Sequence, residues 1–276
     1  MTERTIVITG ASDGIGAATA RALGAGGDRV VVVGRSSDKT RAIAKQIGAD
    51  FYLADFSRLS EVRNLAATLL EQYPSIDVLA NNAGGIMGDR ALTEDGHEKT
   101  FQVNHLAPFL LTTLLMDRLV ESRARVINTS SAANRIFGKF AIDDLDAEKK
   151  YSPNLAYGNA KLANILFTKE LHRRYHASGI TTAAFHPGVV ATSFSAGSTS
   201  VMRHLYAGIA SRFMLTPEAG ADTLVWLANS TPGVDWQSGE YYAKRKLAKT
   251  NPQADDAALA TTLWERSAQM VAPVPR

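Results

Sequence analysis

The chain has 276 residues, 45% of them hydrophobic, which is enough to bury a substantial core in one large α/β domain or two small ones. Its 30 basic and 27 acidic residues leave a formal net charge of +3, and the basic residues are scattered rather than gathered on one stripe, so the pI near 9.1 does not argue for nucleic acid. The lack of cysteine excludes disulfides, thiolate catalysis and Cys-ligated zinc, and leaves the redox compartment undetermined.

Residues 5–9 (TIVIT) form a short β-branched run, and residues 15–23 carry a helical pattern. Between them the turn Thr9-Gly10-Ala11-Ser12-Asp13-Gly14-Ile15-Gly16 has glycines where backbone must approach a phosphate and where helix must pack on strand. N–H groups at such a helix start face a pyrophosphate. Residues 30–33 (VVVV) give a second strand, whose end should reach an adenosine ribose. An acid there would accept from the 2′-hydroxyl; this chain has Gly34-Arg35-Ser36 instead, so a guanidinium from Arg35 and a hydroxyl from Ser36 or Ser37 suit a 2′-phosphate and point to NADP(H) over NAD(H). Asp13 argues mildly the other way, and the bland reading of Arg35 is a solvated loop charge.

The alternation continues with a helix over 40–47, a strand over 51–54 and a helix over 60–72. Asp55 falls at the ligand-facing end of its strand, as adenine acceptor or as helix N-cap. A strand over 76–80 runs into Asn81-Asn82-Ala83-Gly84, two amides and two small residues that suit a backbone pressed against a cofactor. The helical stretch 101–119 contains Asn104, His105 and Pro108; the proline frees a carbonyl and bends the helix, and a nearby amide can hold a water there. His105 lacks a metal-ligand or nucleophile partner at a helpful spacing and reads as structural.

A fifth strand, 125–129, ends at Ser130-Ser131, where a hydroxyl can donate to a substrate oxygen. A long acidic connection containing Phe137, Phe140 and Asp143-Asp144-Leu145-Asp146 follows, longer than a typical loop. Tyr157 and Lys161 then share one face near the start of a helix running to about residue 176. A fixed cation there stabilises a phenolate and suits the tyrosine to proton transfer near neutral pH. A sixth strand, 180–185, ends at His186-Pro187-Gly188, and 193–214 reads as a flap with an apolar underside or as a packed helix. A helix over 217–228, a short strand over 240–242 and an amphipathic helix over 257–270 complete the pattern. With no linker, repeat or charge block dividing it, the chain reads as one domain: a cofactor-binding part to about residue 130, a catalytic helix and flap over about 131–250, and a last helix within about 253–270. No leader pattern follows Met1 and no run approaches the roughly 18 apolar residues of a membrane span, so a cytoplasmic protein is expected.

Taken jointly and in order, Thr9-Gly10-x-x-x-Gly14-Ile15-Gly16, Asn81-Asn82-Ala83-Gly84, Asn104, Asn128-Thr-Ser-Ser131, Tyr157-Gly-Asn-Ala-Lys161-Leu-Ala-Asn, and Pro187-Gly188 with Thr192 resemble the short-chain dehydrogenase/reductase family, in its retinol-dehydrogenase-like branch. The resemblance spans nearly the whole chain. It implies a Rossmann-like, doubly wound α/β domain with about seven mostly parallel strands and helices on both faces. It also implies hydride transfer with a nicotinamide cofactor, no metal, and a homodimer or homotetramer. In its terms Ser131 holds the substrate oxygen, Tyr157 transfers the proton, and Lys161 binds the cofactor ribose. Asn104 holds a water. The cofactor would meet Gly10, Ser12, Asp13, Gly14, Ile15, Gly16, Arg35, Ser36, Asp55, Phe56, Asn82, Ala83, Gly84, Tyr157, Lys161, Pro187, Gly188, Val190 and Thr192. Phe137, Phe140, Val189, Met202 and Tyr206 suggest a small hydrophobic ketone, aldehyde or alcohol as the substrate. The gap from Ser131 to Tyr157 exceeds that of many members but matches this branch, which carries a similar Asp-Asp-Leu insertion.

Overall fold

The computed structural model describes residues 3–190 and 215–273. Its sheet has the order β3-β2-β1-β4-β5-β6-β7-β8: β1 Thr5–Thr9, β2 Arg29–Gly34, β3 Asp50–Leu53, β4 Val78–Asn81, β5 Arg125–Thr129, β6 Thr181–His186, β7 Glu240–Ala243 and β8 Lys246–Leu247. Every neighbouring pair is parallel except β7 with β8. The eighth strand exceeds the seven expected, and its two exposed residues carry no apolar alternation that a sequence reading could use. β1 and β4 are buried along their whole length, which explains their continuous apolar runs, since helices cover both faces of a parallel sheet.

The strand order reverses between β1 and β4, so the C-terminal ends of these two parallel strands form the crevice where such sheets bind ligands. Around the sheet lie α1 Gly14–Ala25, α2 Ser37–Ile47, α3 Leu59–Gln72, α4 Lys99–Phe101, α5 Ala107–Leu114, α6 Met116–Glu121, α7 Ala133–Ile136, α8 Pro153–Tyr175, α9 Pro217–Asn229 and α10 Ala257–Met270. One core lies under α3, α5, α8 and α10; the other lies on the opposite face, with Ala17, Ala20 and Leu23 of α1 and Leu224 and Leu227 of α9.

The helical stretch expected over 101–119 is interrupted. A π-helical turn occupies Gln102–Leu106, Pro108 opens α5, and the backbone breaks again at Leu115. α8 begins at the N-cap Ser152, whose Oγ accepts from the Leu155 N–H, with Pro153 in the first turn where a missing N–H costs nothing. Buried residues cover most of its turns because it packs on the sheet, on α7 and under α10, so it is the internal helix of that face. The long connection before it is anchored rather than loose. Gln253 bonds Phe140 N and O, Asn251 Nδ2 donates to Gly138 O, and Asp146 Oδ1 accepts from the Glu98 N–H.

Candidate active site

Strand ends β1 and β4 are tied together by polar groups. Thr9 Oγ1 accepts from the N–H groups of Asn82 and Ala83, each at 3.0 Å, and Asn82 Nδ2 donates to Thr9 O at 3.0 Å. A Cβ on Gly16 would lie 2.4 Å from Gly10 O and 2.7 Å from Asn82 Nδ2, so only glycine lets α1 approach this closely. At the helix start Asp13 Oδ1 accepts from the Gly14 N–H and Ala17 N bonds Asp13 O; among the described residues the Ile15 and Gly16 amides find no backbone acceptor. Two N–H groups at a helix N-terminus, beside a crevice kept clear of side chains, fit a dinucleotide pyrophosphate.

At the end of β2, Arg35 and Ser36 are exposed, and Ser36 is the N-cap of α2 without making a side-chain cap bond. The helix starts three residues before the expected 40, and Lys39, in its first turn, pairs with Asp13 Oδ2 at 2.7 Å. Asp55 is not a helix N-cap. That position belongs to Arg58, and Asp55 Oδ1 instead accepts from Ser57 N and Oγ at 3.0 and 2.8 Å. Phe56 is buried in the core, which leaves its backbone as the part able to meet a ligand.

The candidate catalytic side is assembled from β5, the π turn and α8. Ser130 is 1% exposed and its Oγ donates to Lys161 O at 2.7 Å, so that hydroxyl is spent on holding α8 against the sheet. Ser131 is half-buried, with its Oγ accepting from the Ala133 N–H at 3.2 Å. Tyr157 packs against Ile86 and Ala133, and the Lys161 Nζ stands 5.5 Å from its ring centroid. Lys161 is buried and donates to Thr129 O at 3.1 Å, and burial alone pulls its pKa down to about 7. A Cβ on Gly84 would lie 3.1 Å from that Nζ and 2.4 Å from Asn104 Oδ1, so the space above the ammonium exists because residue 84 has no side chain. The Asn104 amide is engaged within the protein: Nδ2 donates to Gly85 O and Thr100 O, and Oδ1 accepts from the Gly85 N–H.

After β6, residues 188–190 lie against Leu215 and the start of α1. Gly188 has φ +89° and its position would bring a Cβ within 2.4 Å of Leu215 Cδ1; Leu215 N bonds Val189 O. A Cβ on Gly220 of α9 would meet Val190 Cγ2 at 2.6 Å and Ile15 Cγ1 at 3.1 Å, so Val190 lies beside the start of α1. Ile136, Phe137 and Val189 are exposed apolar side chains. Phe140 is not among the candidate substrate contacts, since it is 7% exposed and part of the core. Thr192, Met202 and Tyr206, and with them the expected flap, lie outside the described residues. Lys39 and Ser267 escaped the sequence reading, and Asn164, the last residue of its Tyr157–Lys161 motif, carries no role there. Asn164 had a usable signal, its offset of three from Lys161 on one helix; Ser267 is brought in from more than 100 residues away and had none.

A model of the short-chain dehydrogenase family matches residues 4–202. The chain is 41% identical, over 99% of its length and 94% of the relative's, to a Streptomyces sp. (strain C5) protein provisionally named daunorubicin C-13 ketoreductase DnrU. It is 38% identical to human retinol dehydrogenase 12, over 97% of this chain and 86% of that one. A crystal structure of an uncharacterised protein from Mycobacterium paratuberculosis superposes with a TM-score of 0.77 at 34% identity, over 97% of this chain and 93% of the other. The chain is a short-chain dehydrogenase. It belongs to the retinol-dehydrogenase-like branch and is an oxidoreductase of CH–OH and carbonyl groups, in a family that uses NAD or NADP. Among the described residues of this short-chain dehydrogenase, no helix is long and apolar enough to cross a membrane, and no group of three or more His, Asp or Glu could hold a metal ion.

Proposed function

We propose that this enzyme interconverts a small hydrophobic ketone or aldehyde and its alcohol with NADP(H), using Tyr157 as general acid and base. The observation that carries the reading is the buried Lys161 ammonium. It is 1% exposed, next to the Tyr157 ring, below the space that Gly84 leaves, and has the Thr129 carbonyl as its acceptor among the described residues. A buried cation needs more acceptors than one, and ribose hydroxyls are of the right kind. When bound, a nicotinamide dinucleotide supplies or takes the hydride. In reduction Ser131 donates to the substrate oxygen and Tyr157 gives that oxygen a proton as the carbonyl carbon gains hydride; Lys161 stabilises the phenolate left behind. The Asn104 side chain is engaged, so a water would be held by the second lone pair of its backbone carbonyl, which already accepts from Asn164 Nδ2 at 3.0 Å.

Arg35 and the uncommitted cap hydroxyl of Ser36 support NADP(H), with the start of α2 beside them. Lys39 offsets the Asp13 carboxylate that argued for NAD(H). The exposed Phe137 and Val189 support an apolar substrate. The proposed enzyme is a single-domain cytoplasmic protein. A reductase screen over hydrophobic aldehydes and ketones with NADPH and NADH tests this: turnover should be faster and cofactor binding tighter with NADPH, and equal or tighter NADH binding would overturn the cofactor assignment.

A further inference from the structure

Behind Lys161 runs a continuous line of buried polar groups from three separate elements. Asn164, one turn on from Lys161 in α8, donates through Nδ2 to Asn104 O at 3.0 Å and to Thr129 O at 3.1 Å. Thr129 O is the same carbonyl that accepts from Lys161. The Asn104 carbonyl is the one four residues before Pro108, which has no N–H to offer it, and the Asn164 amide supplies the missing donor. On its other side Asn164 Oδ1 meets His105 Nδ1 at 3.2 Å, and His105 Nε2 meets Ser267 Oγ of α10 at 2.9 Å. Asn164, His105 and Ser267 are at most 3% exposed.

The chemistry fixes the direction of every bond. With both Nδ2 hydrogens given to carbonyls, Asn164 can only accept from His105, so Nδ1 carries the imidazole proton, Nε2 is bare and the Ser267 hydroxyl donates to it. Burial pushes the His105 pKa down to about 4, so the ring stays neutral at working pH. Phe101 and Phe167 flank the ring, with centroids 5.0 and 6.1 Å away, and hold it without competing for its nitrogens.

We propose that Asn164 is a positioning residue for the catalytic lysine, held in its one productive orientation by His105 and, through it, by Ser267 of the C-terminal helix. The amide keeps the Thr129 carbonyl in place for the ammonium and closes the backbone gap at Asn104, the residue that also clamps Gly85 beside the site. α10 is therefore part of the apparatus that aims Lys161. This inference rests on the reading that Lys161 holds the cofactor.

Two measurements on the full chain test it. The first is the His105 tautomer in wild-type protein by ¹⁵N–¹H correlation NMR between about pH 6 and 8. The Nδ1–H form is expected, whereas a ring protonated at Nε2 would mean the amide faces the other way and would overturn the proposal. The second is a double-mutant cycle on NADPH affinity, followed by nicotinamide fluorescence, with Lys161→Met, Asn164→Leu and both together. Asn164→Leu should weaken NADPH by about 3–10-fold, the scale of one or two lost hydrogen bonds, and should add nothing once Lys161 is Met. If the effects of the two substitutions simply add, or Asn164→Leu binds NADPH like wild type, Asn164 does not act through Lys161. If Lys161→Met alone binds NADPH like wild type, the lysine reading itself fails, and the tautomer result still decides the orientation of the amide. Should Asn164→Leu not fold, Ser267→Ala takes its place in the cycle: a loss of about twofold that vanishes in the Lys161→Met background supports the proposal, and additivity or no loss overturns it.

Discussion

The candidate cofactor-facing half of the site, between β1 and β4, is shaped by atoms that are absent, whereas the candidate catalytic half, between β5 and α8, is shaped by polar side chains buried with their partners. In the first half Gly10, Gly16 and Gly84 clear the crevice and backbone amides face it. In the second, Ser130, Asn164, His105 and Ser267 spend their hydrogen bonds on one another and on carbonyls, and the Lys161 ammonium has the Thr129 carbonyl as its acceptor among the described residues. The first design tolerates no added volume. The second tolerates no lost donor. Substitutions chosen for each half should therefore fail in different ways.

The largest effect is expected in the catalytic half. Tyr157→Phe keeps the ring against Ile86 and Ala133 and keeps Lys161, so turnover should fall by about 10²–10⁴-fold, the usual cost of a lost general acid. Steady-state kinetics on the best substrate from the screen would show it, and near-full activity would place the proton donor elsewhere. Arg35→Ala should weaken NADPH by about 10–150-fold, matching ~1.5–3 kcal/mol for charged hydrogen bonds, with NADH unchanged. Parallel titrations of both cofactors measure this; an equal loss for both would mean Arg35 does not read the 2′-phosphate.

In the crevice, Gly16→Ala puts a methyl 2.4 Å from the Gly10 carbonyl, a backbone atom that cannot rotate away. Overpacking of this kind costs about 1–3 kcal/mol, to be read from denaturant unfolding, and an unchanged midpoint would mean α1 can slide outward. The smallest effect is the pH dependence of the cofactor-free protein. The folded Lys161 pKa of about 7 lies below the ordinary lysine value of 10.5, so above pH 7 the unfolded chain binds the extra proton and stability rises with pH towards 10.5; below about 7 this contribution is lost. The difference in unfolding free energy between wild type and Lys161→Met should therefore shift in favour of wild type from pH 7 to 9, and a flat difference would show that the ammonium is solvated.

How much was legible follows the same division. The glycine-rich turn and the Asn81–Gly84 run are local signals, because a crevice made of backbone needs particular small residues next to one another in sequence. The alternation of strands with helices and the Tyr157–Lys161 face followed from periodicity. What escaped was long-range: His105 reads as an isolated ring, and only folding brings it to Ser267, 162 positions away. Pro108 did signal a freed carbonyl, yet the group that answers it comes from α8, not from the amide nearby in sequence. β8 is two residues long, and Asp55 forms a turn with Ser57 where the sequence reads as an adenine acceptor or a helix cap, because short polar segments are decided by their neighbours in space.

The central claim is that Tyr157 and Lys161 divide the work, the phenol moving the proton and the ammonium holding the cofactor. NADPH affinity measured side by side for Tyr157→Phe and Lys161→Met tests it most directly. The phenylalanine variant should bind within about twofold of wild type, while the methionine variant should bind at least about tenfold more weakly, as expected for a lost charged hydrogen bond. Equal affinities for the two variants would contradict the claim.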